Sequence, residues 1–503
     1  MTLSFKILLK YNILVCLLGL VYPSLVAQEK DDYIWLFANG GIPSYVTSLD
    51  FSYNDLGISL DTVIYQNSMV NSSVSDVDGK LLFYTNGCQV IQSNHQLMEN
   101  GDSLNYGNYY VEWWDNCSTG YNGFQDILIL KDEMNEDIYY IIHKFINYET
   151  TPTLKFWIQD MRYTMVDMSY NGGRGKVIKK NQVFHEEHSI AFSFLTAIKH
   201  SNNRYWWMIQ LNKTNNTYYK YLLKEDGPML QDSQQIGPPA TRNTSASGQA
   251  KFSPDGKMWA WYTKENGLNL FNFDRTSGLL SNQRILPIQH RRSFSGIEFS
   301  PNSRFVYITM YDSLMQVDLW KEDLAQGVEL IDTFKYQQDP FANFHLMTLA
   351  PDCKIYMGST NGTRVLHRIN KPNKKGKDCD FVQYDIDLLY YKGIGMANYP
   401  RLRVDYEDVC DSLEDYSGLD IDVFDPLSRI KVWPNPITDI SIIDCSYSGH
   451  LKVYNNNGIE VISKYIDHTL PNYLDLEGYP SGMYIVRLID THGRSSTIKV
   501  IKT

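Results

Sequence analysis

The run His185-Glu186-Glu187-His188 gathers two imidazoles and two carboxylates, residue types that can ligate a divalent metal. It is too short for H-E-x-x-H, whose spacing places both histidines on one helical face, so a solvated polar turn is the expectation. Around Ser245 a nucleophile elbow would need two flanking glycines, and Asn243 and Ser247 stand there instead. Asp76-Val77-Asp78-Gly79 begins like a calcium loop, but its twelfth position is Gly87, where a bidentate Glu is needed. Turn chemistry accounts for that run. No P-loop and no Rossmann glycine run occurs. No catalytic residue, metal ligand or cofactor site is therefore assigned.

The long connection Asn100–Gln125 is the most suggestive region for binding. It holds Tyr106, Tyr109, Tyr110, Trp113, Trp114 and Tyr121 among Asp and Asn residues. Rings beside hydrogen-bonding groups suit recognition of a sugar or a protein, since each offers a flat apolar face. The competing reading has the same rings packing over a sheet edge. Six cysteines remain once Cys16 is set aside with the leader described below, and they allow 15 pairings. Local separation favours Cys88 with Cys117 and Cys353 with Cys379. The first bridge would tie the aromatic loop to its hairpin. With no C-x-x-C, zinc or redox chemistry is a weak reading.

These residues need elements to hold them, and composition narrows which. The chain has 503 residues, 43% hydrophobic and 14% aromatic, with net charge −11 and pI near 5.5. That apolar content excludes a disordered chain, and the acidic balance without a basic stripe argues against a nucleic-acid partner. Thirty-seven Tyr and ten Trp favour pleated strands. Residues 1–27 carry Lys6 and Lys10, an apolar run from Ile13 to Val21, and Ser24-Leu25-Val26-Ala27. That is the plan of a secretory signal peptide. No later segment has 18 consecutive apolar residues, so no transmembrane segment is expected in the mature chain.

A repeat sets the expected fold. SPDGK (Ser253–Lys257), SPNSR (Ser300–Arg304) and APDCK (Ala350–Lys354) recur 47 and 50 residues apart, each between apolar strands. Pro followed by Asp or Asn presets a tight turn, so each reads as a hairpin tip. Looser copies precede Tyr33, Leu81, Ile138 and Tyr205, making seven tips. An all-strand period near 45–50 predicts an all-β chain with a seven-bladed β-propeller over residues 28–403, six or eight blades being the alternatives. The first tip follows the leader at once, so Gly393–Val404 is expected to supply that blade's incoming strand. Residues 404–428 hold nine Asp or Glu and no Lys or Arg, which reads as a solvated acidic linker. Short strands then alternate with turns over 429–503, as in a small antiparallel β-sandwich.

The last block carries a specific resemblance. Trp433-Pro434-Asn435-Pro436, then LKVYNNNGIEV with Gly458, then SGMYIVRL with Gly482 and Tyr484, then STIKVIKT, are similar in order and spacing to the type A C-terminal sorting domain of the type IX secretion system. The resemblance implies a Bacteroidetes bacterium and export through the periplasm. It implies handling by the type IX machinery, and release or attachment at the outer surface. More loosely, GKLLFYTNG, FSPDGK, GIEFSPNSRFVYIT and LAPDCKIYMG resemble WD40- or YVTN-type propellers. The expectation is an exported propeller that binds a protein or glycan ligand. The alternative is a secreted hydrolase or lyase with its active site in the channel, as in lactonase-like propellers.

Overall fold

Each repeated turn is wired by its own side chains. In the turn at 253–257, Asp255 Oδ1 accepts from Ser253 Oγ at 2.5 Å and from Lys257 N at 3.0 Å, while Ser253 Oγ accepts from Met258 N at 2.9 Å. Asn302 and Ser300 repeat the pattern at 300–304. At 350–354 Ala350 lacks the hydroxyl, and Asp352 alone caps Lys354 N at 3.2 Å. A hydroxyl or carboxylate bonded to nearby N–H groups holds the reversal and aims two strands back along one another.

The computed structural model describes residues 29–38, 44–53, 55–63, 72–113, 115–117, 120–237, 248–288, 292, 294–337, 340–404, 410, 430–433, 435–445, 448–456, 459–470, 472–489 and 495–503. The leader expected at 1–27, Ser245 and most of the acidic linker lie outside them. Two compact units divide the chain, Met1–Asp411 and Ser412–Thr503.

Among the described residues, the first unit contains seven antiparallel sheets in chain order. Two are three-stranded: Ile34–Ala38, Ser44–Asp50 and Gly57–Val63, then Ser72–Ser75, Leu81–Thr85 and Val90–Gln92. Five four-stranded sheets follow over 127–186, 196–235, 249–286, 296–333 and 347–392. Burial falls from first strand to last. Thr196–Lys199, Gln249–Phe252 and Gly296–Phe299 are wholly buried, whereas Gly227–Gln235 and Leu279–Leu286 are largely exposed. That gradient from axis to rim is the mark of a β-propeller. In all five four-stranded sheets a register shift separates the third strand from the fourth, which twists the rim edge away from further pairing.

Ring closure departs from the sequence expectation. Gly393–Val404 forms no strand of the first sheet. It runs along the inner edge of Ile34–Ala38 with one backbone bond, Gly393 N to Ala38 O at 2.9 Å. At the other end, Tyr399 Oη donates to Ile34 O at 2.9 Å and the ring stacks on Trp35. Side-chain hydroxyls thus take the place of a ladder, because this segment must also reach the other sheets from the axis.

The disulfides also differ in part. Cys88 bonds to Cys117, with Cα atoms 6.4 Å apart. Cys353 bonds to Cys410, Cα atoms 5.6 Å apart, and not to Cys379, which is a buried free thiol. Cys353 sits in the turn nearest the axis. Cys379 lies in the third turn of the same sheet, among Phe305 and Tyr307 of its neighbour. Radial separation within one sheet overrides closeness in sequence.

The second unit is a sandwich of a three-stranded sheet (Lys431–Trp433, Ile440–Asp444, Asn472–Asp475) and a four-stranded one (Glu460–Ile466, Gly449–Asn455, Gly482–Ile489, Ser495–Lys502). Val432, Ile443, Leu451, Val453, Leu474, Tyr484, Val486, Leu488 and Val500 fill its core. Asn435 is exposed yet structural: its Oδ1 accepts from Ile501 N and its Nδ2 donates to Lys499 O, each at 2.9 Å. Pro436 is exposed, and Tyr484 Oη donates to Pro480 O at 2.7 Å. Gly482 has φ +155°, at the edge of the positive-φ range that favours glycine. Pro434, Gly458 and the Trp433 side chain lie outside the described residues.

Candidate functional site

The axis of the propeller is filled rather than open. Asn398 on the closing segment donates to Ile127 O (2.9 Å) and Leu195 O (3.2 Å), joining the third and fourth sheets. Gln125 donates to Asn398 Oδ1 and Ala250 O and accepts from Ala250 N, bringing in the fifth. Gln249 donates to Met347 O and accepts from Ile297 N and Met347 N, adding the sixth and seventh. Amide side chains are both donor and acceptor, so three of them satisfy the inner-strand edges that an empty channel would leave to water.

Towards the repeated turns the axis opens into a mouth of about 860 Å³, including the solvent at its entrance. Pro254, Pro301 and Pro351 from the three turns and Pro400 from the closing segment line it, Pro254 and Pro351 partly exposed and the other two buried. Its floor is charged. Glu298, fully buried, accepts from Lys251 Nζ (3.0 Å), Arg401 (2.7 Å), Phe299 N and Leu349 N. Burial pushes its carboxyl up, but the two cations and these N–H groups outweigh that and hold it below the usual carboxylate range. Burial likewise draws the Lys251 ammonium down against the pull of Glu298. Beside this cluster Arg403 grips Asp32 through both guanidinium nitrogens and donates to Glu29 O at 3.0 Å. Three cations thus share two carboxylates, Lys251 and Arg401 on Glu298 and Arg403 on Asp32, an arrangement that fixes the shape of the floor.

A second charged group lies beside the first tip. Lys199 bridges Glu29 and Glu133. Burial, together with the nearby Glu29 carboxylate, pushes Asp31 up to about 7, with Lys131 opposing.

Several exposed apolar side chains stand on the face that bears the turns, and others, such as Tyr336, lie elsewhere on the propeller. Trp320 is 73% exposed, with the Arg304 guanidinium 4.2 Å above its ring. Arg304 is itself held by Asp318 at 2.9 Å. Tyr53 is 72% exposed, next to Ser52, whose Oγ donates to Gly79 O in the second tip. Val77 and Met134, both in tip turns, are exposed as well. Sequence reasoning passed over Trp320 and Tyr53. The available signal was a lone large ring inside a polar turn, as in Asp318-Leu319-Trp320-Lys321-Glu322-Asp323.

The aromatic loop behaves differently from the expectation placed on it. Tyr109 and Tyr121 are buried, their rings packed edge to face at 5.5 Å, with Tyr148 and Phe156 against Tyr109. Tyr121 Oη accepts from Ile146 N at 2.9 Å. Burial pushes the Tyr109 phenol up to about 12. Both are core residues, packed against the hairpin of Ile138–Glu149 and Lys155–Asp167 in the third sheet through Ile146, Tyr148 and Phe156. Tyr110 is half-buried and Tyr106 exposed, with their rings 5.4 Å apart. The Trp113 side chain and all of Trp114 lie outside the described residues. His185 of the histidine–glutamate run binds Tyr221 Oη through Nδ1 at 2.8 Å, and Glu187 accepts from Ser189 N. Among the described residues no cluster of three His, Cys, Asp or Glu is placed to hold a metal ion.

Comparison with known proteins adds an assignment at one end of the chain. Residues 431–503 match the family described as "Secretion system C-terminal sorting domain". No curated protein matches the chain. Similar solved structures include a functionally unknown protein from Desulfotomaculum acetoxidans (11% identity, 73% of this chain and 99% of that one, TM-score 0.39). Others are the beta-propeller domain of Myceliophteria thermophila Cps50 (Swd1) (10%, 66% and 94%, TM-score 0.36) and apo AztD from Citrobacter koseri (10%, 74% and 88%, TM-score 0.37). The chain thus joins a β-propeller to a secretion system C-terminal sorting domain at residues 431–503.

Proposed function

We propose that this protein is an exported, surface-displayed or released propeller that binds a protein or glycan ligand on the face bearing the repeated turns. Export rests on the sorting domain together with the leader expected at 1–27. The observation that carries the binding reading is the filled axis. The closing segment and three amide side chains occupy the place where a channel-borne active site would have to lie. Among the described residues the mouth, with Pro254 and Pro351 partly exposed at it, and the exposed Trp320 and Tyr53 stay accessible on the face bearing the turns. Rings and proline faces offer rigid apolar contact at little entropic cost, and the paired charges at the floor supply polar contacts at fixed positions. The hydrolase or lyase reading would need an acid, a base or a metal converging on one substrate position, whereas both floor carboxylates are engaged by Lys251, Arg401 and Arg403.

The test is a screen of the purified full-length protein on glycan and extracellular-protein arrays, with each hit titrated against variants. Trp320→Asp and Pro254→Arg should each abolish the hit, while Leu330→Asp on an outer strand should leave it unchanged. Binding indifferent to both face variants would overturn the proposal, as would substrate turnover that a mouth substitution removes.

A further inference from the structure

The mouth at the repeated turns holds more cationic donors than its carboxylates use. Six charged side chains line it: Lys251, Arg401, Arg403, Glu298, Asp32 and Asp255. Arg403 and Asp32 pair one to one. Lys251 and Arg401 instead share one carboxylate, at 3.0 Å from Glu298 Oε2 and 2.7 Å from Oε1, so two positive charges meet across a single negative one. Arg401 spends Nε on Phe252 O (3.0 Å) and one N–H of Nη2 on Glu298, and among the described residues its Nη1 donates to nothing. Glu298 is likewise the one partner of Lys251 Nζ among them, on a side chain only 6% exposed. Donors at that depth are ordinarily bonded. Burial draws the Lys251 ammonium down and Arg401 adds to it, with Glu298 opposing, the state of a cation short of counter-charge. The third carboxylate does not make up the difference, because Asp255 Oδ1 is held in its own turn by Ser253 Oγ and Lys257 N.

We propose that the mouth seats the carboxylate of an acidic sugar on Lys251 and Arg401, an inference that rests on the binding face proposed above and names its ligand's chemistry. A carboxylate matches the planar guanidinium and accepts from several N–H groups at once. It supplies the second negative charge that Lys251 and Arg401 lack, which lowers the cost of keeping both cations buried. Asp255 narrows the class. Among the described residues its Oδ2 accepts no hydrogen bond, so it can take a hydroxyl and repels a second anionic group. One carboxylate flanked by hydroxyls is the pattern of a uronic or sialic acid, and not of a polyphosphate or a run of acidic peptide side chains. The mouth, about 860 Å³ with its entrance, has the size of small-molecule sites, and the partly exposed Pro254 and Pro351 offer rigid apolar faces to a sugar ring.

Titration calorimetry of the full-length protein with the methyl glycosides of glucuronate, galacturonate and N-acetylneuraminate tests this, each set against its methyl ester. At least one acid should bind, and its ester should bind roughly tenfold to a hundredfold more weakly, since only the charge and its hydrogen bonds are removed. Arg401→Gln and Lys251→Met, each checked for an intact thermal transition, should weaken the acid by a similar factor and leave the ester unaffected. The comparison of acid with ester on the unaltered protein decides the matter even where both variants misfold. Equal affinity for acid and ester overturns the proposal, as does failure of all three acids to bind. Acetate or hexaglutamate binding as tightly as the best sugar overturns it too. A ligand lost in Trp320→Asp but indifferent to Arg401→Gln would overturn this inference and leave the binding face standing.

Discussion

Glu298 offers the sharpest test of how the ring is held. Its two carboxylate oxygens take four donors from four places: Lys251 on the fifth sheet, Phe299 beside it on the sixth, Leu349 N on the seventh, and Arg401 on the closing segment. Replacing it with Ala leaves Lys251 and Arg401 as buried cations facing each other and two backbone N–H groups without an acceptor. Removing one partner of a buried ion pair costs about 3–5 kcal/mol. With an unfolding entropy of roughly 2.1 cal/mol/K per residue over about 375 residues, near 0.8 kcal/mol/K, the propeller transition should fall by about 4–6 °C. Calorimetry of the full-length protein measures it. The triple variant Lys251→Met, Glu298→Leu, Arg401→Met should recover most of the loss, since a packed apolar trio carries no desolvation penalty. The carboxyl is held low in the folded state, so its contribution is present at neutral pH and is lost as pH falls through the folded value. An unchanged Tm in Glu298→Ala, or a triple variant as unstable as the single one, would refute the view that this carboxylate staples the closing segment.

Three further outcomes follow from the same geometry. Removing residues 429–503 should leave a folded propeller retained in the periplasm, checked by cell fractionation; surface delivery of the truncated protein would sink the sorting role. Cys410→Ser opens a 57-residue loop, which the loop-closure entropy values at about 4 kcal/mol, so Tm should drop by roughly 5 °C, with reductant abolishing the difference from wild type. Asp31 has a folded pKa near 7 against about 3.9 unfolded, so the folded state binds the extra proton and stability declines as pH rises from about 4 to about 7. Asp31→Asn should therefore match wild type near pH 4 and exceed it at pH 8, and a Tm profile parallel to wild type across that range would contradict the assignment.

The sequence by itself determined the features that depend on a few neighbouring residues. The turns at 253–257, 300–304 and 350–354 are legible because Ser, Asp or Asn side chains accept from N–H groups within five positions while Pro presets the reversal, and their period announces a ring of sheets. The sorting domain is legible for the same reason, its glycines, prolines and alternating apolar residues being local. Tertiary structure alone decided which groups meet across the ring. Asn398 reaches Ile127 and Leu195 from hundreds of residues away, so the filled axis leaves no trace in any window of sequence. Tyr109 and Tyr121 turn inward and Trp320 outward although all three are rings in loops, because burial depends on whether a neighbouring hairpin lies against the loop. Cys353 chooses Cys410 over the nearer Cys379 because turns of one sheet lie at different distances from the axis, and the returning chain passes the innermost one.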